Sequence, residues 1–177
     1  MRTEQPNTIY LKDYQVPDYL IDETSLTFEL YEDHSLVHAQ LVMRRNPQAG
    51  TGLPPLVLHG QDMELLSLSL NDRALGAADY QLTSASLTLQ PDSASFTLDS
   101  TVRIHPESNT ALEGLYKSGT MFCTQCEAEG FRKITYYLDR PDVMSSFTTT
   151  VSADKQRYPV LLSNGNPIAA GDGEDGR

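Results

Sequence analysis

The chain has 177 residues, 39% of them hydrophobic, and its 24 acidic and 13 basic side chains give a formal net charge of −11 at pH 7. This length and composition are typical of one soluble globular domain with its own core. The acidic balance disfavours binding to nucleic acid or to an anionic membrane surface, because both need clustered Lys and Arg.

The chain starts with MRTEQPNTIY, which has neither the apolar run nor the small-residue cleavage pattern of a signal peptide. No stretch approaches the roughly 18 apolar residues that a membrane-spanning helix needs. We therefore expect a cytoplasmic protein with no membrane partner, in which both cysteines are reduced.

Alternation of apolar and polar residues predicts β-strands through the first two thirds of the chain. Leu26, Phe28 and Leu30 alternate with Thr27, Glu29 and Tyr31, as expected when one face of a strand is buried. The same reasoning, with β-branched and aromatic content, predicts strands at 35–43, 65–70, 86–89 and 96–104. Residues 46–55, rich in Gly and Pro, are predicted to form a loop.

The last third is predicted to continue as strands at 133–138, 145–152 and 158–163. Asn164-Gly165 fits a type I′ turn, which would return residues 167–171 antiparallel to the preceding strand. One short helix is expected around 139–146, with Pro141 in its first turn. The turn-type residues GDGEDGR then follow half of a hairpin, which indicates a fragment cut near a turn or a frayed acidic tail.

The four histidines do not form a recognisable metal site. His34 and His38 have the i, i+4 spacing of a zinc-protease helix, but Ser35 stands where such a motif has its glutamate. In a strand, two such rings would lie roughly 13 Å apart, too far for one zinc ion. We expect His34 and His38 to be surface or half-buried strand residues, and His59 and His105 to be loop residues.

Cys123 and Cys126 form a single C-x-x-C pair. A structural zinc site needs four ligands, and a thioredoxin-like site needs a βαβ unit, which this strand-rich chain does not indicate. Half-buried thiols are the expectation, with any redox role left open.

The segment CTQCEAEGF, residues 123–131, also places two carboxylates beside an amide. Glu127 and Glu129 follow Gln125 in a segment between Gly119 and Gly130. A carboxylate with a neighbouring amide oxygen is a suitable receptor for an ammonium group. The spacing of these residues alone is equally consistent with an acidic loop that is exposed to solvent and binds nothing.

Longer motifs add a family resemblance. The motifs ALEGLY, TQCEAEGFR and TYYLDRPDVM occur in that order between residues 111 and 144, and the segments 10–30 and 158–169 extend the similarity. Together they resemble the N-terminal domain of the bacterial aminopeptidase N family, the zinc-dependent alanyl aminopeptidases of the gluzincin superfamily. The resemblance spans most of the chain and is least distinctive from about 46 to 95.

This resemblance implies an all-β, saddle-shaped, multi-sheet domain that is β-sandwich-like and covers residues 1–177, truncated near its C-terminal end. The full-length protein would be a zinc-dependent aminopeptidase that removes N-terminal amino acids from peptides. The family's H-E-x-x-H and G-x-M-E-N motifs do not occur in the 177 residues. Zinc would therefore be bound by a catalytic domain outside this chain, and the chain alone would be inactive, with no catalytic or metal-binding residue of its own.

The resemblance also implies specific residue roles and partners. Glu127 would accept the α-ammonium of a peptide substrate, Gln125 would line the pocket for its first side chain, and the Glu127-Ala128 bond would be cis. The partners implied are peptides with a free N-terminus and the catalytic domain of the same polypeptide. The alternative is a stand-alone β-sandwich interaction module without catalytic activity, and the length of the gene distinguishes the two.

Overall fold

The computed structural model describes residues 10–173 and 176–177, which fold into eleven β-strands and three short 3-10 turns. The strands are β1 (Tyr19–Leu30), β2 (Ser35–Arg45), β3 (Leu56–His59), β4 (Glu64–Leu70), β5 (Arg73–Ala74), β6 (Tyr80–Leu82), β7 (Ser86–Leu89), β8 (Ser95–Ile104), β9 (Gly114–Ser118), β10 (Met121–Gln125) and β11 (Ser146–Ser152). The 3-10 turns are Leu11–Asp13, Pro47–Ala49 and Phe131–Lys133. Within the described residues, no helix has the length and apolarity needed to cross a membrane.

The largest sheet has six strands in the order β11-β1-β2-β8-β4-β5, with β11 parallel to β1 and the other pairs antiparallel. Leu26, Phe28 and Leu30 are buried on one face of β1, which confirms the alternation expected there. A register shift between Ile21 and Glu23 adds a residue to β1, so burial resumes at the even-numbered positions after the bulge.

Two smaller sheets complete the domain. One has the order β3-β7-β6 and the other is the β9-β10 hairpin. Leu56, Leu58, Leu87 and Leu89 from the three-stranded sheet belong to the same buried cluster as the side chains of the six-stranded sheet. The sheets therefore share one core, and the multi-sheet all-β class is confirmed.

The predicted strand at 133–138 is wrong. Residues 131–133 form a 3-10 turn, and the segment then makes one isolated bridge, with Tyr137 N–H donating to His59 O at 3.0 Å and His59 N–H to Tyr137 O at 2.8 Å. The five consecutive residues Ile134 to Leu138 are all buried. Apart from Thr135, these residues are apolar or aromatic because all of them are buried, and not because they form the buried face of a strand. The prediction that His59 is a loop residue is also wrong, because His59 is the last residue of β3.

The predicted helix around 139–146 is also wrong. The segment contains a single turn, in which Val143 N–H donates to Arg140 O at 3.2 Å. Asp139 bonds to Arg132 and His59 and so is not available to cap a helix. The strand predicted at 145–152 is confirmed as β11.

The predicted hairpin at 158–171 does not form. Residues 158–173 contain no strand, and Val160 and Leu162 are 71% and 88% exposed. Within the described part of the chain no strand pairs with this segment, so its exposed backbone is left to hydrogen-bond with water. Most of the N-terminal segment used for the signal-peptide argument lies outside the described residues, as does part of the acidic tail.

Candidate functional site

The candidate site is the loop that joins β10 to the 3-10 turn at Phe131–Lys133. The hairpin register places Gln125 opposite Gly114 at the end of β10, where the chain leaves the sheet. Gly130 N–H then donates to Cys126 O at 2.8 Å and closes the turn. We call residues Cys126–Gly130 the recognition loop. Its Glu127-Ala128 peptide bond is cis, as the family resemblance implies.

Two glycines allow the ends of the recognition loop to touch. A Cβ on Gly130 would lie 2.6 Å from Gln125 O and 2.9 Å from Cys126 Cα. Gly114 has φ +73° and lies so close to Lys133 that an added Cβ would approach that side chain's Cβ to 2.7 Å. The loop is therefore closed by direct backbone packing against the hairpin.

Gln125 and Glu127, the two residues predicted to bind substrate, lie together and are both exposed. Gln125 Nε2 donates to the backbone O of Glu127 at 3.3 Å, and this bond does not use the amide oxygen. In the described part of the chain, no hydrogen bond or ion pair reaches the Glu127 carboxylate. Glu129 differs, because its Oε2 lies 3.3 Å from Arg132 Nη2. Glu127 thus carries the loop's uncompensated negative charge.

Beneath the loop, Arg132 and Asp139 form a largely buried ion pair. Arg132 Nε lies 2.7 Å from Asp139 Oδ2, and the Arg132 backbone N–H donates to the same oxygen at 3.2 Å. Arg132 Nη2 donates to the backbone O of Asp139 at 3.2 Å. The side chains are 17% and 8% exposed. These residues were not predicted, although both occur within the motifs that carry the family resemblance.

Two titratable groups flank this ion pair. His59 Nδ1 accepts a hydrogen bond from Asp139 N–H at 3.3 Å, which requires an unprotonated Nδ1. Burial lowers the pKa of His59, and the positive charge of Arg132 lowers it further. Burial raises the pKa of the Cys126 thiol to about 11. Both cysteines are free and partly buried, which confirms the expected half-buried thiols.

The residues present do not fit a zinc site. His34 and His105 both contact Asp33, at 2.8 Å from its Oδ1 and 3.0 Å from its backbone O, and His105 also contacts Glu107 at 3.1 Å. His38 contacts Glu29 at 2.9 Å. Among residues 10–173 and 176–177, no group of three or more His, Cys, Asp or Glu side chains is arranged to hold a metal ion.

The fold and the site together define a multi-sheet β domain that displays an unpaired carboxylate on a tightly closed loop. Residues 22–177 match the Peptidase M1 N-terminal domain family. The chain belongs to this family.

Curated relatives and solved structures agree with that assignment. The chain is 47% identical to Aminopeptidase N of Escherichia coli K12 over 99% of its own length and 20% of that protein, and 45% identical to Aminopeptidase N of Caulobacter vibrioides over 100% and 20%. It spans about a fifth of the length of these relatives. The structure of Legionella pneumophila aminopeptidase A in complex with aspartic acid is similar with a TM-score of 0.87 and 34% identity, covering 94% of this chain and 20% of that one.

Structural similarity extends to more distant proteins. Leukotriene A4 hydrolase of Saccharomyces cerevisiae matches 77% of this chain and 23% of its own with a TM-score of 0.63 and 16% identity. At that identity the match shows a shared fold.

Proposed function

We propose that this chain is the N-terminal domain of a zinc-dependent aminopeptidase, and that Glu127 accepts the free α-ammonium group of the substrate peptide. The relatives named Aminopeptidase N cover the chain almost completely and are about five times as long. The single observation that carries the residue assignment is the exposed Glu127 carboxylate, which has no partner among the described residues.

The chemistry of an ammonium receptor favours Glu127 over its neighbour Glu129. A carboxylate that already faces a guanidinium, as Glu129 faces Arg132, has part of its charge neutralised. Glu127 has its full charge available for a cation. Gln125 supports it, because its Nε2 is held by Glu127 O and its amide oxygen stays available as a second acceptor near the ammonium or the first side chain.

Hydrolysis itself is assigned to the rest of the longer polypeptide. The described residues offer no zinc ligand set, so we place the zinc ligands in a catalytic domain outside this chain. Zinc in that domain would polarise the scissile carbonyl and activate water. The domain described here would recognise the peptide's N-terminus, and the 177-residue chain alone would be inactive. We also propose that the enzyme is cytoplasmic.

The test is a comparison of Glu127→Gln with Glu129→Gln in the full-length gene product, with an alanyl chromogenic substrate. Leaving a buried ammonium without its partner costs about 3 to 5 kcal/mol, so kcat/KM of Glu127→Gln is expected to fall several hundredfold or more. The matched Glu129→Gln change removes an exposed ion pair and is expected to cost no more than about tenfold. Equal effects of the two substitutions would contradict the assignment of Glu127.

The gene supplies an independent check. A reading frame that continues from this segment into a zinc-binding helix supports the proposal. A stop codon directly after Arg177, or no release of amino acids by the wild-type gene product, would favour the stand-alone β-sandwich interaction module.

A further inference from the structure

The position of the Glu127 carboxylate depends on how the recognition loop is anchored. Glu127, Ala128 and Glu129 are all exposed, and the polar contacts that hold them are the bond from Gln125 Nε2 to Glu127 O and the contact of Glu129 with Arg132. On the N-terminal side, the loop is held by the pairing of Gln125 with Gly114 at the end of the hairpin. On the C-terminal side, the turn is closed at Gly130 and continues directly into the 3-10 turn that contains Arg132.

Arg132 is the residue that ties this C-terminal side to the core. Its guanidinium joins Glu129 in the loop to the buried Asp139, and its backbone O accepts a hydrogen bond from Gln61 N–H at 2.8 Å. Asp139 is in turn fixed by its N–H bond to His59 at the end of β3. A continuous set of bonds therefore leads from the three-stranded sheet to the exposed turn.

Charge gives Arg132 a second effect on the site. Glu127 and Glu129 are carboxylates of the same turn, and Arg132 is the cation placed between Glu129 and the buried Asp139. The guanidinium lies 3.3 Å from Glu129 Oε2 and so neutralises part of the charge of that carboxylate. Without it, Glu129 would repel the Glu127 carboxylate at the tip of the same turn.

We propose that Arg132, fixed by Asp139, is a positioning residue for Glu127: it sets the orientation of the recognition loop through Glu129 without touching the substrate. This inference rests on the proposed function of Glu127 as the ammonium receptor. A planar guanidinium can bond to two groups in a fixed geometry, whereas a lysine ammonium is a point charge. Arg132→Lys therefore keeps the positive charge and loses the geometry.

The experiment uses the full-length gene product and two competitive inhibitors that differ in one group. L-phenylalaninol carries the α-ammonium and has no scissile carbonyl, and 3-phenyl-1-propanol lacks the ammonium group. Arg132→Lys is expected to raise the Ki of the amine-bearing inhibitor by about tenfold to a hundredfold, the scale of a roughly 1 Å misplacement. The Ki of 3-phenyl-1-propanol is expected to change by less than about twofold, since Glu127 makes no ionic contact with it.

A double variant tests whether Arg132 acts through Glu127. In a Glu127→Gln background, Arg132→Lys is expected to cause no further rise in the Ki of L-phenylalaninol, because residues that act as a unit are not additive. The matched control is Arg140→Lys. Arg140 binds Asp142 with Nε–Oδ1 2.9 Å and Nη2–Oδ2 2.7 Å and makes no contact with the recognition loop. This control is expected to leave the ratio of the two Ki values unchanged.

Glu129→Gln provides a second route if Arg132→Lys lowers the yield of folded protein. It keeps the Arg132–Asp139 pair and weakens the tie to the loop, so the same selective rise in Ki is expected at a smaller size. An equal rise for both inhibitors, or additive effects in the double variant, would show that Arg132 is merely structural. A wild-type enzyme that does not prefer the amine-bearing inhibitor would instead overturn the role of Glu127.

Discussion

Replacing Gly130 by alanine tests how tightly the recognition loop is packed. Gly130 has φ −94° and ψ −11°, a conformation open to any residue, so the substitution adds volume without backbone strain. The new Cβ would lie 2.6 Å from Gln125 O and 2.9 Å from Cys126 Cα, where ordinary contacts begin at 3.4 Å. Both neighbours are backbone atoms that cannot rotate away. The hairpin and the turn must separate, and we expect a loss of about 1 to 3 kcal/mol of unfolding free energy.

Urea unfolding of the 177-residue chain, followed by far-UV circular dichroism, measures this loss. The matched control is Gly171→Ala, because apart from its two chain neighbours no heavy atom of the described residues lies within 4 Å of a Cβ at that position, and its φ is not in the left-handed region. That substitution is expected to be neutral or slightly stabilising. The packing argument fails if Gly130→Ala lies within about 0.5 kcal/mol of the control, the range of ordinary surface substitutions.

Three further predictions concern the core beneath the loop. Folding lowers the pKa of His59, so the unfolded chain binds more protons than the folded chain below about pH 6.5. The unfolding free energy of the wild type should therefore fall from pH 7 to 5.5 more steeply than that of His59→Asn. Equal slopes for the two proteins would contradict this prediction. Cys126, with a thiol pKa of about 11, should react with iodoacetamide at pH 8 at least about tenfold more slowly than in the urea-unfolded chain, as followed by peptide mass spectrometry. Thr135 is buried, and its Oγ1 has no hydrogen-bond partner within the described residues. Thr135→Val should therefore raise the unfolding free energy by about 1 kcal/mol. A lower unfolding free energy would show that Oγ1 does make a stabilising hydrogen bond.

The regular strands were predictable because their pattern is local. In β1 and β8, one face is buried and the other is exposed to solvent, so apolar and polar residues alternate along the sequence. The segment 133–138 resembles a strand in composition, but its residues are buried on all sides by contacts distant in sequence. The residues of segment 158–163 favour β-structure, but no strand in the described chain pairs with them. Residue propensity alone does not produce a strand without such a partner.

The site was predictable only in part. Residue chemistry indicated that Glu127 or Glu129 could receive a cation, and the family resemblance selected Glu127. Spacing could not separate the two, because the difference between them is the contact of Glu129 with Arg132. The Arg132–Asp139 pair lies outside the regular strands and joins residues that no periodicity relates, so it required the three-dimensional structure.

The parallel pairing of β1 with β11 has a consequence for the order of assembly. β2 follows β1 directly in the sequence and can pair with it at once, whereas β11, the partner of the other edge of β1, comes after all the other strands described above. The recognition loop lies on the long connection that this last pairing closes. Such non-local closure slows folding, and an open strand edge can pair with another chain in the meantime. Substitutions that weaken the pairing of β11 with β1 are therefore expected to lower the yield of folded protein by prolonging this exposure.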